Sequence, residues 1–185
     1  GGGGDFESSR RKTRNLLNSF EKYEKKNPDS QVDIFNFALG EKKSKDFISV
    51  FENIGGSTFL EQEGQSDSNL VKKIEVQIVP FDSLKIQINS PSLLKIDAQG
   101  FELPILRGMK TTLAEFDYII VESRFIETLK GSGTFKDLYE IMSLYNFVVL
   151  DILALTRRPL DNATTEVDVV FCKMNNKILK DKRWS

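Results

Sequence analysis

Histidine is absent from the 185 residues of this chain, and cysteine occurs once, at Cys172. The first absence excludes the Ser-His-Asp and Cys-His nucleophile arrangements, His-ligated zinc and the ordinary general base near neutral pH. A lone cysteine can form neither an internal disulfide nor a Cys-cluster metal site. Acid–base chemistry is left to carboxylates, lysine, tyrosine and backbone dipoles. The net charge of −1, from 26 Lys and Arg against 27 Asp and Glu, lacks the cation excess of a general nucleic-acid grip, so no nucleic-acid partner is expected. No run approaches the roughly 20 apolar residues that a membrane-spanning helix needs. The most apolar segments, Tyr118–Val121 and Phe147–Leu155, have the length of buried strands. No secretory leader is recognisable, which makes a cytoplasmic setting the expectation. What is present is a globular mixture, 39% hydrophobic and 29% charged, of a size that suits one domain.

The chain opens on Gly1–Gly4, as a tag, a linker or residues of unknown identity would. Ser8-Ser9 then offers a helix N-cap, and Leu16, Leu17, Phe20 and Tyr23 form an apolar stripe at helical spacing. Arg10, Lys12, Arg14, Lys22, Lys25 and Lys26 fill the remaining faces. With no aromatic residues between them they read as a solvated surface. Asn27-Pro28-Asp29 ends the helix. Val32–Leu39 predicts a buried strand and Phe47–Phe51 a weaker one, and the alternation of Ile74, Val76 and Ile78 predicts a strand with one wet face.

Leu93–Ile96 is a short strand that ends abruptly in Asp97 and Gly100, followed by a predicted helix from Glu102 to Leu113 with Pro104 in its first turn. Tyr118–Val121 followed by Glu122 repeats the pattern. Thr134 and Asp137 resemble a capping box that opens a helix with Phe135, Leu138, Met142 and Tyr145 on its apolar face. Phe147–Leu155 and Glu166–Lys173 close the chain as a strand pair. Strands alternating with helices predict an α/β fold with a mostly parallel sheet and an antiparallel edge hairpin. Ligands collect at the carboxyl ends of strands in such sheets. Glu7, Asp97 and Glu122 each end a predicted strand and can face one crevice, although an acid in that place also serves as an ordinary turn former or helix cap.

The segment Leu93-Leu94-Lys95-Ile96-Asp97-Ala98-Gln99-Gly100-Phe101-Glu102, continuing to Arg107-Gly108, closely resembles the signature of the FkbM-type methyltransferases. Weaker matches follow in the family's order. They are Phe6-Glu7, Ala38-Leu39-Gly40-Glu41, Gly55-Gly56-Ser57, Val79-Pro80-Phe81-Asp82-Ser83-Leu84, Ile119-Ile120-Val121-Glu122 and Glu166–Phe171. The resemblance implies a single Rossmann-like class I methyltransferase domain that uses S-adenosylmethionine. Its acceptor would be a hydroxyl on a sugar or other small natural product. It implies that Glu7 holds the cofactor ribose and that Ala38 and Leu39 lie along its adenine. It implies too that Asp97, with Glu122 as the second candidate, orients or deprotonates the acceptor, and that Gly55, Gly56 and Ser57 line the acceptor pocket.

Two departures from the family pattern matter. The family's first strand and glycine-rich turn, of the type Asp-x-Gly-Ala-Asn-x-Gly, have no match, so the resemblance describes an N-terminally incomplete domain. By itself such a domain would neither bind the cofactor well nor transfer methyl groups. Gln99 stands where many relatives carry an acid, and a neutral amide is a poorer metal ligand, so no metal is expected. A non-catalytic remnant that acts as a binding module is the alternative. A nicotinamide-dependent oxidoreductase is disfavoured, because no Gly-x-Gly-x-x-Gly occurs.

Overall fold

The structure, a computed structural model, describes residues 31–51, 58–60 and 70–184. Residues 31–36 belong to a separate N-terminal unit and carry no regular element, while residues 37–185 form one compact unit. The predicted helix after Ser8 lies outside the described residues.

Among the described residues, two sheets make up the larger unit. The first joins β1 (Ala38–Leu39), β2 (Ser44–Phe51) and β3 (Leu70–Val79) in the order β1-β3-β2. The second joins β4 (Leu93–Ile96), β5 (Tyr118–Arg124), β6 (Phe147–Arg157) and β7 (Thr164–Lys173) in the order β4-β5-β7-β6. Helices α1 (Glu102–Arg107) and α2 (Phe135–Leu144) cross between strands of the second sheet. The fold is therefore α/β as expected, with an antiparallel β6–β7 pair, but both sheets are mixed and parallel pairing does not dominate. Only β1–β3 and β4–β5 run parallel, whereas β2–β3, β5–β7 and β6–β7 are antiparallel.

Alternation along the strands builds the core. In β5, Ile119, Val121 and Ser123 are buried, and in β7 so are Val167, Val169 and Phe171. The register sets Ile119 opposite Phe171 and Val121 opposite Val169, which makes one continuous apolar surface. Leu103 and Leu106 of α1 and Leu138 and Met142 of α2 pack on it. The intervening row sets Glu122 opposite Asp168 and Arg124 opposite Glu166. That polar row becomes important below.

Two predicted elements contract. The strand expected over Val32–Leu39 contracts to Ala38–Leu39, because only Ile78 and Val79 of β3 run alongside to complete a ladder. The helix expected to reach Leu113 stops at Arg107. At Gly108 a Cβ would lie 2.1 Å from the Gly40 carbonyl oxygen, so two backbones meet where a side chain has no room. Met109 and Leu113 remain fully buried, so the apolar periodicity was real although the backbone path changes. Asp82 reaches across the chain. Its carboxylate accepts from the backbone N–H groups of Thr111 (3.0 Å) and Thr112 (3.1 Å), just before the 3₁₀ turn Leu113–Glu115. The capping box at Thr134 and Asp137 forms as predicted, with the Thr134 N–H donating to Asp137 at 2.8 Å.

Candidate active site

The turn after β4 is the local centre. Gln99 and Gly100 have φ of 50° and 97°, a left-handed pair that glycine eases at the second position. At Gly100 a Cβ would also come within 2.9 Å of the Leu129 and Leu60 side chains. Glu102 closes the turn from inside, its Oε1 accepting from the N–H groups of Ala98 (2.9 Å) and Gly100 (3.1 Å). From the other side the Thr58 hydroxyl donates to the Gln99 carbonyl at 2.8 Å, and the Phe59 ring packs on Phe101 with centroids 4.6 Å apart. Asp97 is thereby set at the surface. It accepts from Gln99 Nε2 at 3.1 Å and lies 3.5 Å from Lys95 Nζ, which stands equally close to Asp168. Asp97 is thus no helix cap; the buried Glu102 does that work for the turn.

Arg124, only 3% exposed, ties this turn to the sheet. Its Nη1 lies 3.6 Å from Glu102 Oε2, and its Nη2 lies 2.9 Å from Glu166 Oε1 and 3.3 Å from Glu122 Oε2. Its Nε is buried with no hydrogen-bond partner. Beside it is a cavity of about 10 Å³, room for roughly one water, lined by Glu102, Glu122, Ser123, Arg124, Ser132 and Thr134 among others. One guanidinium here faces three carboxylates. Burial and the adjacent Glu166, opposed by Arg124 and reinforced by Asp97 and Glu102, push the Glu122 carboxyl up to about 7. A group so placed can take a proton from an acceptor near neutral pH and give it up again.

Residues 6–149 match the Methyltransferase FkbM domain. The chain belongs to the FkbM methyltransferase family. No curated protein and no solved structure matches it. The FkbM match includes Asp97, Glu102, Glu122 and Arg124, while Glu166 and Asp168 of β7 lie beyond it.

Of the residues the sequence picked out, Asp97 and Glu122 come to one corner of the FkbM domain. Glu122 does not end its strand as expected, because β5 continues to Arg124. Ala38 and Leu39 form β1, and the Leu39 side chain packs against the core. Glu7, Gly55, Gly56 and Ser57 lie outside the described residues. Sequence reasoning missed Arg124, Glu102 and Glu166. The alternation Glu122-x-Arg124 puts an acid and a base on one face of a strand, and that signal was available. Nothing local marks Glu166 as their partner. Among the described residues no His, Cys, Asp or Glu group is arranged to hold a metal ion, and no helix is long and apolar enough to cross a membrane.

Proposed function

We propose that this FkbM-family chain, residues 1–185, is a single methyltransferase-like domain with a Rossmann-like sheet, and that the full-length protein carrying it acts as an S-adenosylmethionine-dependent O-methyltransferase. The acceptor we assign is a hydroxyl on a sugar or other small natural product. The parallel β4–β5 pair with its antiparallel β6–β7 edge supports that sheet. The observation that carries the functional reading is Glu122, a carboxylate held near neutrality beside the signature turn of a chain without histidine. Ala38 and Leu39 are assigned to the adenine end of the cofactor. They give a half-buried apolar shoulder, while the Gly40 N–H is committed to Val79 at 3.0 Å. Glu7 is assigned to the ribose, where a carboxylate's two acceptor oxygens suit paired hydroxyls.

Bound there, the cofactor supplies an electrophilic methyl group. The protein's own part is to exclude water, orient the acceptor and remove its proton. Asp97, exposed on a turn that Glu102 and Thr58 hold rigid, orients the acceptor hydroxyl. Glu122 takes the proton. Gly55, Gly56 and Ser57 are assigned to the acceptor pocket, and Thr58, which follows them directly, contacts the turn at Gln99.

The test is transfer of labelled methyl from S-adenosylmethionine by the full-length protein to a panel of sugar, polyol and phenol acceptors. Transfer to a hydroxyl is expected, with E122Q lowering kcat about 100-fold or more. Calorimetry that finds no cofactor binding, together with no transfer to any acceptor, would replace this reading with the non-catalytic binding module.

A further inference from the structure

We propose that Glu166 is a positioning residue for Glu122. By holding the Arg124 nitrogen that both carboxylates share, it leaves Glu122 as the member of this corner that exchanges a proton. The antiparallel register sets Arg124 directly opposite Glu166, whereas Glu122 stands opposite Asp168, one pleat away on the same face. Glu166 accordingly makes the closer contact with Nη2, 2.9 Å against 3.3 Å for Glu122. It is also the more solvated of the two, with a side chain 26% exposed against 16%. Glu122, drier and farther from Nη2, bears its desolvation penalty with less compensation from Arg124.

Arg124 cannot turn to favour Glu122. Its other terminal nitrogen faces Glu102, whose second oxygen holds the Ala98 and Gly100 amides. Swinging the guanidinium would break its ion pair with the Glu102 that closes the signature turn.

The remaining charges around Glu122 are already engaged. On β4, Lys95 bridges Asp97 and Asp168, the latter on β7. On α1, Glu102 serves the turn. On α2, Asp137 accepts from Thr134. On β6, uncharged Thr156 stands opposite Glu166. Among the described residues, Glu166 is therefore the only carboxylate that competes with Glu122 for the same nitrogen. It depends on the functional reading above only for its catalytic consequence.

The experiment is a titration of the Glu122 side-chain carboxyl carbon by NMR in the full-length protein. Wild type is expected to titrate near neutral pH. E166Q frees Nη2 for Glu122 and lowers the midpoint by about one pH unit or more. E166D keeps the charge but withdraws it from Arg124, and lowers the midpoint by less. D168N removes an equally charged neighbour that pairs with Lys95, and leaves the midpoint near its wild-type value. An unchanged midpoint in both Glu166 variants, or a shift in D168N as large as that in E166Q, overturns the proposal. The acid limb of the methyl-transfer pH profile should follow the same shift in E166Q. If E122Q retains full activity while the NMR shifts appear as stated, the catalytic reading of Glu122 fails and the role of Glu166 stands.

Discussion

Glu122 and Asp82 respond to pH in opposite senses. Glu122 has its folded pKa raised from 4.5 to about 7, so the folded state binds its proton more tightly than the unfolded chain does. Its contribution to stability is complete below about 4.5 and is lost as pH rises through about 7. E122Q should therefore flatten the decline of stability across that window and be the more stable protein at pH 8, by on the order of 3 kcal/mol. Thermal denaturation of both proteins between pH 4 and 8 measures it; parallel curves would show that Glu122 titrates as an ordinary acid. For Asp82, burial pushes the carboxyl up, but hydrogen bonds from Thr112 and Thr111 outweigh it and hold the group below its usual value. Its contribution is present above 3.8 and is lost as pH falls through the lowered pKa. D82A leaves two backbone N–H groups and the Thr112 hydroxyl without their acceptor, and should cost about 1–3 kcal/mol at pH 7 by urea denaturation.

At the scale of elements, the decisive contact is the one where α1 ends. Gly108 adopts a φ of −83°, which any residue can take, so its requirement for glycine is purely steric. Gly108→Ala would drive a methyl into the Gly40 carbonyl, and relief requires β1 and α1 to move apart. A loss of about 2–4 kcal/mol in urea denaturation is expected. The same change at Gly131, where nothing lies within 4 Å of a Cβ, meets only the strain of its positive φ and should cost less. A pair of equal losses would show that backbone conformation, not close approach, governs both sites. By comparison the capping box at the start of α2 is a modest device. Thr134→Ala should lower stability by about 1 kcal/mol.

For the larger unit as a whole, stability is concentrated in the second sheet. Strands β5 and β7 lie in its interior, flanked on both sides, and carry Ile119, Val121, Val169 and Phe171 with no exposure at all. Strand β1 contributes two residues on one partner, and β6, at the edge, exposes Ile152, Leu153 and Leu155. Amide hydrogen exchange should therefore be slowest in β5 and β7 and faster in β1 and the outer half of β6. The polar row of Glu122, Arg124 and Glu166 sits on the two slow strands, so the proposed proton-exchanging corner is held by the most protected part of the fold. Uniform exchange across the four strands would contradict that placement.

Local pattern by itself determined a good deal of this protein. It placed Leu93–Ile96 as a strand, opened α2 at Thr134, gave the edge pair β6–β7, and marked the signature that identifies the family. These features are legible because period-2 and period-3.6 burial, capping chemistry and turn residues act over a few neighbouring positions. Tertiary structure alone decided where α1 stops, since Gly40 lies 68 residues from Gly108 and only packing brings them together. It also decided which amides Asp82 serves and how short β1 is. Above all it decided the partnership of Glu102, Arg124 and Glu166, one from a helix and two from adjacent strands. A carboxylate's readiness to ionise depends on the charges and the water around it. Those are set by strand register and burial, and neither can be read from the residues on either side of Glu122 in the chain.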